Sequence, residues 1–94
     1  LFDRGYSSKG YDLFLSIHSN AVDNNVHEDI DFPVCFTQVS GKSDRIGTIL
    51  SECVQRVMGT KQKAEHWSVK NNEGTDYYGV LRGAAAAGTV GCIV

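Results

Sequence analysis

The stretch best suited to chemistry is Ser16-Ile17-His18-Ser19-Asn20-Ala21. Its imidazole closes an apolar run, Tyr11–His18 (YDLFLSIH), in which Leu13, Phe14, Leu15 and Ile17 leave hardly a break, as in a strand covered on both faces. Alternation sends Leu13, Leu15 and Ile17 one way and Phe14, Ser16 and His18 the other. A histidine at the carboxyl end of such a strand stands where open α/β sheets gather their ligands. Two readings are open: a neutral imidazole that binds a divalent cation such as zinc, or a structural histidine hydrogen-bonded to backbone. Asn20, Asp23, Asn24 and Asn25 then mark a loop, and Asn20 is placed either to orient a substrate or to brace that loop.

Other candidates are more diffuse. His27, Glu28, Asp29 and Asp31 form an acidic cluster without regular ligand spacing, which reads as a solvated loop. Trp67, beside His66, either stacks on a sugar or anchors its own polar segment. Tyr77, Tyr78 and Arg82 are candidates to line a groove, with the Arg82 guanidinium contacting a carboxylate of the substrate. Cys35, Cys53 and Cys92 are odd in number and lack a C-x-x-C pair, which argues against a disulfide framework or a cysteine-rich zinc site. Each lies in an apolar segment and reads as a buried thiol, with a single bridge left open. No nucleophile elbow supports a cysteine hydrolase.

The elements that must position these groups alternate between strand and helix. Residues 1–10 read as the tail of a helix and a turn. Val34–Val39 is a second strand, Tyr77–Leu81 a third and Thr89–Val94 a fourth, buried one. Between them Ile46, Ile49, Leu50, Cys53, Val54, Val57 and Met58 recur at helical steps, with Ser43 as the expected N-cap and Gly59 at the C′ position. Residues 60–76 are polar and turn-rich, and Ala84–Ala87 supply one helical turn. The expected fold class is α/β: a mixed, largely parallel sheet with flanking helices.

With 94 residues the chain holds one domain at most. Its net charge of −2 and lack of a basic run give no electrostatic reason for nucleic-acid binding, and no apolar stretch reaches the ~18 residues of a membrane span. One helix with four strands cannot cover both faces of a sheet. Both ends also read as interrupted, Leu1-Phe2 lacking an initiator and Val94 falling within a strand, so residues 1–94 are expected to be a piece of one larger catalytic domain.

The run from Arg4 through Tyr11-Asp12-Leu13-Phe14-Leu15-Ser16-Ile17-His18-Ser19-Asn20-Ala21 resembles the central motif of the amidase-3 family of zinc-dependent N-acetylmuramoyl-L-alanine amidases. There an arginine-bearing helix leads into a D-x-F/L-x-S-I-H-x-N-A strand. Asp76-Tyr77-Tyr78-Gly79-Val80-Leu81-Arg82-Gly83-Ala84-Ala85 is similar to the segment before that family's last catalytic strand, and Gly88–Val94 is similar to that strand itself. The resemblance implies that His18 is one of three protein ligands to a single Zn²⁺. It assigns the other two to segments before Leu1, and the catalytic glutamate to the position after Val94. It further implies peptidoglycan as partner, cleavage of the amide between N-acetylmuramic acid and L-alanine, and a site of action in the cell wall, outside the cell or after phage-induced lysis. The 94 residues alone, holding one ligand and no general base, are expected to be inactive. A non-catalytic peptidoglycan-binding module of the same fold is the alternative.

Overall fold

The computed structural model describes residues 1–17, 19 and 30–94. Its elements are α1 (Phe2–Tyr6), β1 (Leu13–Ser16), β2 (Val34–Thr37), α2 (Asp44–Met58), β3 (Glu65–Ser68), α3 (Gly79–Ala86) and β4 (Val90–Ile93). The strands form one sheet in the order β1-β4-β2-β3. β1 with β4 and β2 with β3 run parallel, while β2 with β4 runs antiparallel. The sheet is therefore mixed and mostly parallel, as the alternation of elements predicts.

The last strand in sequence is thus internal in space, and its burial follows from that. Cys92 and Ile93 are buried, like the glycine between Val90 and Cys92. Backbone pairing between β2 and β4 covers only Phe36↔Ile93 and Thr37↔Cys92. Beyond it the Gln38 side chain takes over: its Oε1 accepts the Gly91 N–H (3.0 Å) and its Nε2 donates to the carbonyls of Thr89 (3.1 Å) and Leu81 (3.4 Å). A buried amide with all these partners fastens β2, β4 and α3 together.

Helices cover opposite faces of opposite halves. α3 packs on β4, and Leu81, Val80 and Ile93 form the core cluster, with Phe14, Phe36 and Tyr78 around it. α1 lies on α3, where two glycines set the spacing: a Cβ on Gly5 would strike the Val80 carbonyl, and one on Gly83 the Phe2 carbonyl. On the other face α2 packs on β2 and β3. It does so through Gly47 and Ser51, both buried, since a Cβ at Gly47 would meet Thr37 Cγ2 and Cys35 Sγ. Thr48 Oγ1 meets His66 Nδ1 (3.1 Å) and Gln55 Oε1 accepts the Ala64 N–H (2.7 Å), which turns that flank toward β3. The opposite flank, with Ile46, Cys53 and Val57, projects past β2. The apolar stripe is therefore only partly buried, and Val57 remains 82% exposed.

Three expectations need correction. β1 is covered on one face only: Phe14 joins the core, while Leu13 and Leu15 point to the side that α2 leaves open, and Leu15 is 39% exposed. Tyr77–Leu81 is not a strand. Tyr78 is extended (φ −79°, ψ 128°) and caps α3, which starts at Gly79. Tyr-Tyr-Gly-Val-Leu has strand-like composition, but a short apolar run is ambiguous, and the close contact with α1 through Gly83 selects the helix. The strand is instead β3, with four exposed residues and no apolar alternation, so its main signal is pairing with β2. Ser43, moreover, makes no side-chain cap; its Oγ accepts the Gln38 N–H (2.8 Å). Gly59 does end α2 in the left-handed conformation (φ 63°) and donates to the Gln55 carbonyl (2.9 Å).

Gln38→Leu keeps the volume but strands the Gly91 N–H and two carbonyls, and is expected to lower stability in urea by about 1–3 kcal/mol. Leu81→Ala should cost about 2–5 kcal/mol, whereas Leu15→Lys on the open face should stay within about 0.5 kcal/mol. A large loss from Leu15→Lys would show that this face is covered in solution.

Candidate functional site

The carboxyl ends of β1 and β4 lie side by side. Ser16 pairs with Ile93, and the Val94 N–H donates to the Ser16 carbonyl at 2.7 Å. α3 precedes β4 through a tight turn at Gly88 (φ 76°) and packs on it; the segment before α3 is tied to the carboxyl ends of β2 and β3, at the opposite end of the sheet, where Asp76 Oδ1 accepts the Val39 N–H and the Tyr77 N–H donates to the Val69 carbonyl. The amino ends of β2 and β3 lie at the end of the Ser16–Val94 pair, because β2 opposes β4.

On the α3 face a row crosses all four strands in register: Ser16, Ile93, Phe36 and Trp67. Around its β2–β3 part the aromatic rings touch one another. Trp67 contacts Phe36 (5.8 Å between centroids) and Phe32 (5.9 Å), Phe36 contacts Tyr78 (4.8 Å), and Tyr78 meets Tyr77 (5.2 Å). Trp67 is 41% and Tyr77 59% exposed. The Trp67 indole N–H donates to Glu65 Oε1 (3.1 Å), which restrains the ring. Trp67 thus packs on its neighbours and still shows a large part of its surface, and of the two tyrosines one enters the core and the other faces solvent.

Asp76 holds the segment before α3. It is buried at 3% exposure, and its Oδ1 accepts the Val39 N–H (2.8 Å) just past β2. Burial pushes its carboxyl above the ordinary value, against the opposing pull of the Val39 N–H and the Arg82 guanidinium. Arg82 Nη1 donates to the carbonyls of Asp76 (3.1 Å) and Tyr77 (3.4 Å). Arg82, expected to reach a substrate carboxylate, therefore spends donors on the turn that carries the tyrosines.

His18 and Asn20 lie outside the described residues, as do His27, Glu28 and Asp29. Among the described residues no three His, Cys, Asp or Glu side chains converge in a way that would hold a metal ion. Cys35 and Cys92 are fully buried on the α2 face, and Cys53 is half-buried; all three are free thiols. The hydrogen bond with Cys92, together with burial, pushes the Cys35 thiol well up, which makes it a poor nucleophile.

Sequence reasoning missed Gln38 and Asp76, which fasten the carboxyl end of β2 to β4 and to the segment before α3, at the end of the sheet away from the Ser16–Val94 pair. Buried polar side chains leave no periodic trace; the only hint at Asp76 was its place before Tyr77-Tyr78. The chain matches no family model, no curated protein and no solved structure.

Because the folded Asp76 carboxyl titrates above its ordinary value of 3.8, ionising it opposes folding. Its contribution favours the fold below that value and is lost as pH rises through the raised one. Asp76→Asn keeps an acceptor for Val39 but carries no charge. Its Tm relative to wild type should therefore climb as pH is raised from about 3 toward neutrality, by differential scanning calorimetry. A constant difference would mean that the carboxyl is not destabilised by burial.

Proposed function

We propose that this chain is part of a zinc-dependent N-acetylmuramoyl-L-alanine amidase of the amidase-3 type, which hydrolyses the amide between the muramic acid lactyl group and L-alanine in peptidoglycan. The observation that carries the reading is the pairing of β1 with β4. The SIHSNA motif begins on β1 at Ser16, and the Val94 N–H is bound to the carbonyl of that same Ser16. The carboxyl ends of β1 and β4 thereby lie side by side, at strand ends of the kind where α/β sheets hold their ligands. An amidase of this type needs that juxtaposition, with an imidazole beyond one strand and a carboxylate beyond its neighbour.

The described residues do not make up a zinc ligand set, and His18 is the one ligand the reading assigns. The described residues have a positioning part. Asp76 and Arg82 fix the turn before α3 and with it Tyr77 and Tyr78 beside the carboxyl ends of β2 and β3. Asn20 and Arg82 remain the proposed substrate contacts, Arg82 through the donors its backbone partners leave free.

A non-catalytic peptidoglycan-binding module is the second reading, favoured by the exposed aromatic rings of Trp67 and Tyr77. Activity separates the two. Purified residues 1–94 are expected to release no stem peptide from peptidoglycan above a metal-free control. A longer chain with the full ligand set should release it, and should lose that activity to a chelator but not to a thiol-alkylating reagent. His18→Ala in that chain should lower turnover by about three orders of magnitude or more while leaving the circular dichroism unchanged. Wild-type turnover by His18→Ala would remove His18 from the site, and an inactive longer chain that still sediments with cell walls would favour the binding module.

A further inference from the structure

The sequence leaves room for one disulfide among its three thiols, and the fold decides which two can share it. Thr37 pairs with Cys92 across the β2–β4 junction, and Phe36 with Ile93. Strand alternation puts Cys35 on the same face as Thr37, so Cys35 and Cys92 are diagonal neighbours on the face that α2 covers. Their thiols are hydrogen-bonded to each other, and both side chains are fully buried. Cys53 is placed otherwise. A Cβ added at Gly47 would lie 3.1 Å from Cys35 Sγ, whereas Cys53 follows about 9 Å further along the helix axis and on another side of it. Its thiol accepts instead from Arg56 Nη2 (3.3 Å).

A link at this point would bear on the whole architecture. The two parallel halves, β1–β4 and β3–β2, meet in the sheet through two backbone pairs and the Gln38 amide. Cys35 and Cys92 are also far apart along the chain, the case in which a bridge removes most freedom from the unfolded state. The same placement limits its strength. Diagonal neighbours stand about 7–8 Å apart at Cα, a little beyond the ~4.4–6.8 Å of relaxed disulfides. A junction of two pairs can close by that amount at the cost of strain, and strained bridges are the readily reduced ones. We propose that Cys35 and Cys92 form a reversible disulfide, a redox-dependent clasp between the two halves of the sheet, made by exchange with a small-molecule disulfide such as glutathione disulfide.

In the first step the Cys92 thiolate attacks one sulfur of glutathione disulfide, whose S–S bond breaks as one glutathione thiolate leaves. The hydrogen bond from Cys35 favours that Cys92 thiolate, against the opposing effect of burial. In the second step the Cys35 thiolate attacks the Cys92 sulfur of the mixed disulfide and displaces the second glutathione. The neighbour that held the Cys35 proton in place is then capped, so burial is what still opposes its ionisation. Two cysteine sulfurs are oxidised, one glutathione disulfide is reduced to two thiols, and the two cysteine protons pass to them. Because neither thiol is exposed, exchange proceeds through opening of the β2–β4 junction and is slower than at Cys53.

The test incubates the 94-residue chain carrying Cys53→Ser with glutathione disulfide and reads it by mass spectrometry and calorimetry. The expected product is a monomer lighter by two hydrogens, whose digest holds a Cys35–Cys92 peptide. Its Tm should exceed that of the reduced chain by about 5 °C or more, and excess reduced glutathione should reverse both changes. In the unsubstituted chain Cys53 should carry glutathione and enter no bridge. Cys35→Ser and Cys92→Ser should each abolish the Tm response to oxidant, with the mapped peptide deciding should a serine variant fail to fold. Glutathione adducts or dimers in place of the bridge, a bridge to Cys53, or a Tm response that survives in either serine variant would overturn the proposal. So would an oxidised Tm below the reduced one, or a bridge that excess reduced glutathione leaves intact.

Discussion

The architecture depends on one side-chain amide. β2 and β4 run antiparallel and share only two backbone pairs, yet that junction unites two parallel halves, β1–β4 and β3–β2. Gln38 extends it by mimicking a peptide group, accepting from Gly91 and donating to Thr89 and Leu81. The backbone groups it satisfies are buried among apolar side chains, where an unpaired polar group is costly. Ser43 then satisfies the N–H of Gln38 itself, which gives up its use as a helix cap. The same few residues therefore fix sheet order, the position of α3 and the entry to α2.

From that junction the site end of the molecule follows. With β4 internal, its carboxyl end lies against that of β1, and the tight turn at Gly88 joins its amino end to α3. Asp76 reaches from the other side to the Val39 N–H, so the Tyr77-Tyr78 corner is tied to the end of β2 as well as to α3. The raised Asp76 carboxyl shows that positioning the corner has an electrostatic cost, which the Val39 N–H and Arg82 only partly offset.

Helix coverage is uneven for a related reason. α2 approaches the sheet through Gly47 and Ser51, small residues that allow close backbone contact but direct the bulk of its apolar stripe to one side. α1 and α3 meet in the same manner through Gly5 and Gly83. Close approach at glycine narrows each contact, so an aliphatic area over β1 and an aromatic one over β2 and β3 stay open to solvent. The first lacks polar atoms among its side chains, and the second carries an indole N–H and phenols, which is why they suit different neighbours.

Much of this is legible in the residues themselves. Helical spacing from Ile46 to Met58 with Gly59 beyond it specifies α2, and the apolar runs around Leu13–Ile17 and Val90–Ile93 mark strands of the sheet, because burial writes a period that local chemistry preserves. The α/β class comes from the alternation of such segments. Strand order, by contrast, depends on contacts between residues far apart in sequence, and no local pattern records that β4 inserts between β1 and β2. β3 is invisible to pattern because an exposed edge strand needs only backbone partners, and α3 is ambiguous because Tyr-Tyr-Gly-Val-Leu fits either conformation until α1 packs against Gly83. In the candidate site, sequence singles out His18, Asn20 and Arg82 by type and position. Only the tertiary structure could show Arg82 turned onto the Asp76 and Tyr77 carbonyls, and Trp67 brought into line with Ser16, since both depend on which strands become neighbours.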